Sequence, residues 1–103
     1  MKKERIRILG YAGEFAENKD IAKSLRVERI LPALARNQTV TIDFFGVSGT
    51  TQSFIHALIS EPIRRYRDVA LENLEYSHCS GSVREVIRTV YDYMQESLDD
   101  TNL

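Results

Sequence analysis

The stretch TIDFFGVSGTTQSFIHALIS, residues 41–60, crowds four hydroxyls, Ser48, Thr50, Thr51 and Ser53, into the place where a strand gives way to a helix. Hydroxyls so placed have four uses: nucleophile, phosphate cradle, modification point or helix cap. A nucleophilic serine needs a base within hydrogen-bond reach and a third group that orients the base. His56 follows Ser53 by three residues, on the same side of a helix, and Asp43 ends the preceding strand. No G-x-S-x-G elbow is present, because Phe54 and Ile55 follow Ser53. A helix start and a partly buried histidine account for the same residues, so no catalytic residue and no enzyme activity are expected. Asp43 reads as structural, a strand-end acceptor for loop N–H groups.

As a phosphate cradle, GVSGTT has only two glycines and lacks the lysine of a P-loop. A helix N-terminus still offers N–H groups and a partial positive charge, so a nucleotide or small-anion site there stays open as an alternative. For a metal the candidates are His56, His78 and Cys79; the last two are adjacent, and on a strand they would point to opposite faces. Neither C-x-x-C nor H-x-x-x-H spacing occurs, so no metal and no cofactor are expected. Arg64, Arg65 and Arg67 interleave with Tyr66, but Glu61, Asp68 and Glu72 bracket them. A solvated helix face explains that run, and no nucleic-acid partner is expected.

A regulatory use has a physical basis. A phosphate at a helix start adds up to about −2 charge, which the helix N-terminus tolerates. The fold survives while the surface changes sign, and a docked partner meets repulsion. Thr50, Thr51 and Ser53 are the candidate modification points, and plain capping by any of them is the competing reading.

Three strands and three helices have to hold this loop. In residues 4–9, Ile6 and Ile8 alternate with Arg5 and Arg7, the pattern of a half-exposed outer strand. Residues 18–36 read as a helix capped by Asn18, with Asp20 in its first turn. Ile21 and Leu25 share one face; Val27, Ile30, Leu31 and Leu34 share another. With Pro32 inside the pattern, a bent helix or two segments is expected. TVTIDFFGV has the marks of a central strand buried on much of both sides, and Gly46 and Gly49 punctuate the turn after it. Phe54, Ile55, Leu58 and Ile59 predict a helix over 51–60, with Phe44, Phe54 and Leu58 in the core. Pro62 should kink that helix or start a new turn capped by Ser60, leaving IRRYR as an exposed segment. Residues 73–78 read as a third strand. Ser82 and Glu85 make a capping box before an apolar stripe from Val83 to Met94, and the DDTNL tail is expected to fray.

Strand–helix alternation of this kind predicts a small α/β layer fold of βαβαβα order, with a mixed or parallel sheet of three to four strands carrying the helices. In such sheets the functional crevice lies beyond the carboxyl ends of the strands, where the hydroxyl loop sits. The composition suits one domain over residues 1–103: 43% hydrophobic, 28% charged, net charge −1. That balance gives no pull towards nucleic acid or membrane. The apolar part of MKKERIRILG is too short for a signal peptide, and the single Cys79 suits a reducing, cytoplasmic setting.

VTIDFFGVSGTTQSFIHALI resembles the core motif of the STAS-like family (the DUF4325 group): an apolar strand, Asp-Phe, x-Gly-Val, a hydroxyl-rich loop, then Ser-Phe opening a helix. GEFAENKDIAKSLRVERILPAL upstream and NLEYSHCSGSVREVI downstream extend the resemblance to roughly residues 10–95. It implies a small α/β module, distantly similar to the STAS domains of bacterial anti-anti-sigma factors. In those regulators a serine at this helix start is phosphorylated by a histidine-kinase-type ATPase partner; carried over by motif position, that serine is Ser53. STAS sheets usually begin with two strands, and GYAGEFA is the segment that could supply the second. The regulators carry Asp-Ser-Ser-Gly where this chain has Thr51-Gln52-Ser53-Phe54. Burial of Ser53 beneath the Phe54 ring would leave the architecture and remove the switch. The resulting expectation is a non-enzymatic regulatory module that docks a protein partner through Val47, Ser48, Gly49, Thr50, Thr51, Gln52, Ser53 and His56. Besides the anion site, the rival is an assembly subunit of a larger defence or mobile-element complex.

Overall fold

The computed structural model describes the backbone of residues 3–100 and the side chains of residues 3–95. Three strands, β1 (Lys3–Arg7), β3 (Thr39–Asp43) and β5 (Leu74–Ser77), form an all-parallel sheet in the order β1-β3-β5. A two-residue strand β2 (Phe15–Ala16) pairs in parallel with β4 (Gly49–Thr50) and forms a second, minimal sheet. β2 lies within GYAGEFA, but it pairs with β4 rather than joining the main sheet. The helices are α1 (Ile8–Ala12), α2 (Lys19–Leu25), α3 (Leu31–Ala35), α4 (Gln52–Tyr66), α5 (Asp68–Asn73) and α6 (Gly81–Asp100). This is an α/β layer fold. α6 is described through Asp100; the rest of the expected frayed tail, 101–103, lies outside the described residues.

β3 occupies the centre because it can be dry on both sides. Val40 and Ile42 meet Ile6 and Leu74 on the core face, and Phe44 follows them into the interior. On the other face Thr39, Thr41 and Asp43 are each bonded sideways: to Asn73, to Glu75 and to Arg5. The polar groups of this strand are therefore satisfied without water. Phe45 departs from the alternating pattern. It lies past the end of β3 and is 67% exposed.

The break expected near Pro32 is a π-helical turn, Arg26–Ile30, between α2 and α3. Pro32 sits in the first turn of α3, where a missing N–H costs least. The wider turn also rotates the apolar stripe: Ile30 and Leu34 are buried while Val27 is exposed. Asn18 Oδ1 accepts from the Asp20 and Ile21 amides, so the expected cap of α2 is formed.

Two sequence expectations are corrected. Pro62 does not start a new turn capped by Ser60. α4 runs through it for 15 residues, Ser60 is buried within the helix, and IRRYR forms its last turn up to Tyr66. Packing supplies the compensation, since Phe54, Ile55, Leu58, Ile59, Pro62 and Ile63 all lie on one buried face. The cap of α6 is Ser80, not Ser82: the Val83 amide donates to Ser80 Oγ at 3.1 Å. The Ser80 hydroxyl in turn donates to the Ser48 carbonyl, tying the start of α6 to the hydroxyl loop.

Candidate functional site

The hydroxyl loop begins where β3 ends. Val47 N–H donates to the Phe44 carbonyl across a tight turn, and Gly46 supplies the left-handed φ of 81° that the turn needs. From there the chain lies along β2. Ser48 donates to the Glu14 carbonyl through both its amide (2.8 Å) and its hydroxyl (3.1 Å). Thr50 Oγ1 and the Thr51 amide donate to the Ala16 carbonyl at 2.7 and 3.1 Å. Thr51 then caps α4, its hydroxyl accepting from the Phe54 amide at 3.1 Å. The four hydroxyls thus have four different environments.

Thr50 is buried and its hydroxyl is committed to Ala16, so the structure turns this candidate modification point away from solvent. Val47 and Gly49 are also buried, Gly49 under the ring of Phe15, so these two lie behind the surface expected to dock a partner. Ser48, Gln52, Ser53 and His56 are exposed, and Thr51 is half-buried. Ser53 is the second residue of α4, and Phe54, its neighbour, is 0% exposed. Successive residues of a helix point about 100° apart, so the ring enters the core and leaves the hydroxyl outside. Beside it a groove of 400 Å³ runs between α4 and α6, lined by Lys19, Gln52, Ser53, His56, Thr89 and Tyr93 among others.

Ser53, His56 and Asp43 do not form a catalytic set. Ser53 and His56 line the groove, but the histidine that meets Asp43 is His78, Nδ1 to Oδ1 at 3.0 Å. Asp43 Oδ1 also accepts from the Phe45 amide at 3.0 Å, and Oδ2 accepts from Arg5 Nε and Nη2 at 3.2 and 3.0 Å. Burial pushes the Asp43 carboxyl up, yet the Phe45 N–H, His78 and the Arg5 guanidinium outweigh it and hold the group at about 2. Asp43 does cap the loop after β3, and it also anchors two side chains from the flanking strands. This Arg5–Asp43–His78 cluster escaped sequence reasoning. The available signal was that Arg5 and Arg7 share a face of an outer strand next to the strand ending in Asp43.

His78 follows the last residue of β5 with a left-handed φ of 55°, rather than sitting on a strand. His56 lines the groove by Ser53 and His78 a separate cleft. Among the described residues no group of three or more His, Cys, Asp or Glu is placed to hold a metal ion. Burial pushes the Cys79 thiol up, against the pull of Arg84, which leaves it a poor nucleophile. No helix among the described residues is long and apolar enough to cross a membrane.

With the strand, the pinned loop and the Ser-Phe helix start in place, residues 22–84 match a protein-family model described as a STAS-like domain of unknown function (DUF4325). That span is more than half of the chain and runs from α2 through β3, the hydroxyl loop, α4 and β5 into α6. The chain belongs to the STAS-like family. No curated protein and no solved structure matches it. Within this STAS-like domain the matched segment includes both Ser53 and the Asp43–His78 pair, whereas Arg5 and the β2 backing of the loop fall before it.

Proposed function

We propose that this STAS-like domain is a non-enzymatic regulatory module that grips a protein partner at the start of α4 and is switched by phosphorylation of Ser53. The supporting observation is the exposed Ser53 hydroxyl in the first turn of a 15-residue helix, at the edge of a groove, with Phe54 beneath it in the core. A phosphate here sits at the positive end of the helix and shares the groove with Lys19. The fold therefore tolerates the modification, while a partner seated against Gln52, Ser53 and His56 meets up to about two new negative charges. The partner class implied by the family resemblance is a histidine-kinase-type ATPase.

Incubation with ATP and such an ATPase, followed by intact-mass spectrometry, tests the reading. One added phosphate is expected, lost in Ser53→Ala and retained in Thr51→Ala. Ser53→Asp should stay folded and release the partner; partner binding unchanged by that substitution counts against the switch. Nucleotide-dependent melting shifts without modification would instead favour an anion site at the same helix start.

A further inference from the structure

A second cavity, of 580 Å³, opens at the carboxyl edge of the sheet and is lined by Arg5, Arg7, Leu9, Gly10, Asp43, Phe45 and His78. Its walls are the carboxyl ends of all three strands: β1 ends at Arg7, β3 at Asp43, and His78 follows β5. Parallel sheets present ligands at that edge. The volume is within the range of about 300–1,000 Å³ typical of small-molecule sites.

The charges in the cleft do not cancel. Both oxygens of Asp43 are already occupied, by Arg5 on one side and by Phe45 N–H and His78 on the other. Arg5 uses Nε and Nη2 for that bond, Nη2 also donating to Ser77 Oγ at 3.5 Å; its side chain stays 46% exposed and its Nη1 makes no hydrogen bond among the described residues. Arg7 makes no ion pair among the described residues. A chain of net charge −1 thus holds two guanidiniums against one carboxylate in this cleft. Guanidinium forks match carboxylate and phosphate oxygens in pairs.

The cleft also exposes apolar surface that the core does not use. Phe45 and Leu9 are among the large hydrophobic side chains left open to solvent. The His78 ring stands edge-on to Phe45, with centroids 5.6 Å apart, and its bond to Asp43 fixes that orientation. Cations beside an open aromatic corner select a ligand with both features.

The geometry points to a binding site for a small anion with a flat aromatic body: its carboxylate or phosphate on Arg5 and Arg7, its ring against Phe45 and Leu9. This site is independent of the Ser53 reading, since the cleft and the groove share no lining residue.

The test is an amide NMR titration of the full chain at constant ionic strength with phenyl phosphate, benzoate, inorganic phosphate and benzyl alcohol. One or both aromatic anions should saturate shifts at Gly10, Phe45 and His78, at least about tenfold more tightly than inorganic phosphate or benzyl alcohol. Preference between the two aromatic anions assigns the head group. Arg7→Gln and Phe45→Ala change exposed side chains, so both should melt like the parent while each weakens the aromatic anion by about tenfold. Absence of saturable shifts at these three residues up to about 10 mM, affinity unchanged in Arg7→Gln, or inorganic phosphate binding as tightly as phenyl phosphate overturns the proposal.

Discussion

Asp43 and His78, 35 residues apart in the chain, meet at 3.0 Å across the carboxyl edge of the sheet, and the carboxylate that holds the imidazole also holds Arg5. One buried side chain thereby joins the ends of β1, β3 and β5. Its environment also makes it a pH-sensitive point of the fold.

The Asp43 carboxyl stands at about 2 in the folded chain against an ordinary 3.8. A depressed carboxylate is stabilising above its unfolded value, and that contribution is lost as pH falls through the folded value. Thermal melting should therefore drop between about pH 4 and pH 2. Asp43→Asn should flatten that limb and, at pH 7, cost about 1–3 kcal/mol, because Arg5 and His78 lose a charged acceptor. Chemical denaturation of both proteins at several pH values measures it.

Capping and switching at the start of α4 are separable. Thr51→Ala removes the acceptor for the Phe54 amide and should cost about 1 kcal/mol. Ser53→Ala touches an exposed side chain and should stay within about 0.5 kcal/mol of the parent. A urea-midpoint comparison distinguishes them; a large loss from Ser53→Ala would mean that its hydroxyl is structural.

Gly46→Ala should be costly for a backbone reason. With φ at 81°, any side chain here is strained, and an added Cβ would approach Leu9 Cδ2 to 2.7 Å. The Leu9 methyl can swing aside, so the backbone dominates, at about 1–3 kcal/mol. Calorimetry checks the magnitude. The loss should persist in a Leu9→Ala background.

Tyr76 and Tyr91 share a hydroxyl–hydroxyl bond of 2.7 Å with rings at 86°, linking β5 to α6. Either single change to Phe leaves one half-buried hydroxyl without that partner and should cost about 1 kcal/mol. The double change should cost less than the two singles added together, which a double-mutant cycle reads directly.

The elements that were legible in the sequence are those whose signal is local. Ile6 between Arg5 and Arg7 marked an edge strand, although Ile8, read as its continuation, opens α1; Asn18 marked a helix start, and Phe54 with Ile55, Leu58 and Ile59 marked the face of α4 that enters the core. The errors arose where tertiary packing overrode a local rule. Pro62 read as a kink or the start of a new turn, but no new turn starts there, because the helix is anchored on both sides of it by buried Leu58, Ile59 and Ile63. Ser82 fitted a capping box, but Ser80 also had the Ser48 carbonyl to bind, and the helix starts there.

Among the loop hydroxyls, residue type carried no information about which would face solvent. Ser48 and Thr50 differ because β2 runs beneath them, and a two-residue strand leaves almost no mark in a sequence. The sequence alone determined the α/β class, the core strand β3, the dry face of α4 and the family motif, because helix and strand periods are set by neighbours a few residues apart, whereas α1, β2, β4 and α5 left no comparable local signal. Only the tertiary structure decided that Arg5, Asp43 and His78 meet, that Thr50 turns inward and that Ser53 stays outside. Those outcomes depend on the register of parallel strands and on long-range backing, which the packing of the whole core sets.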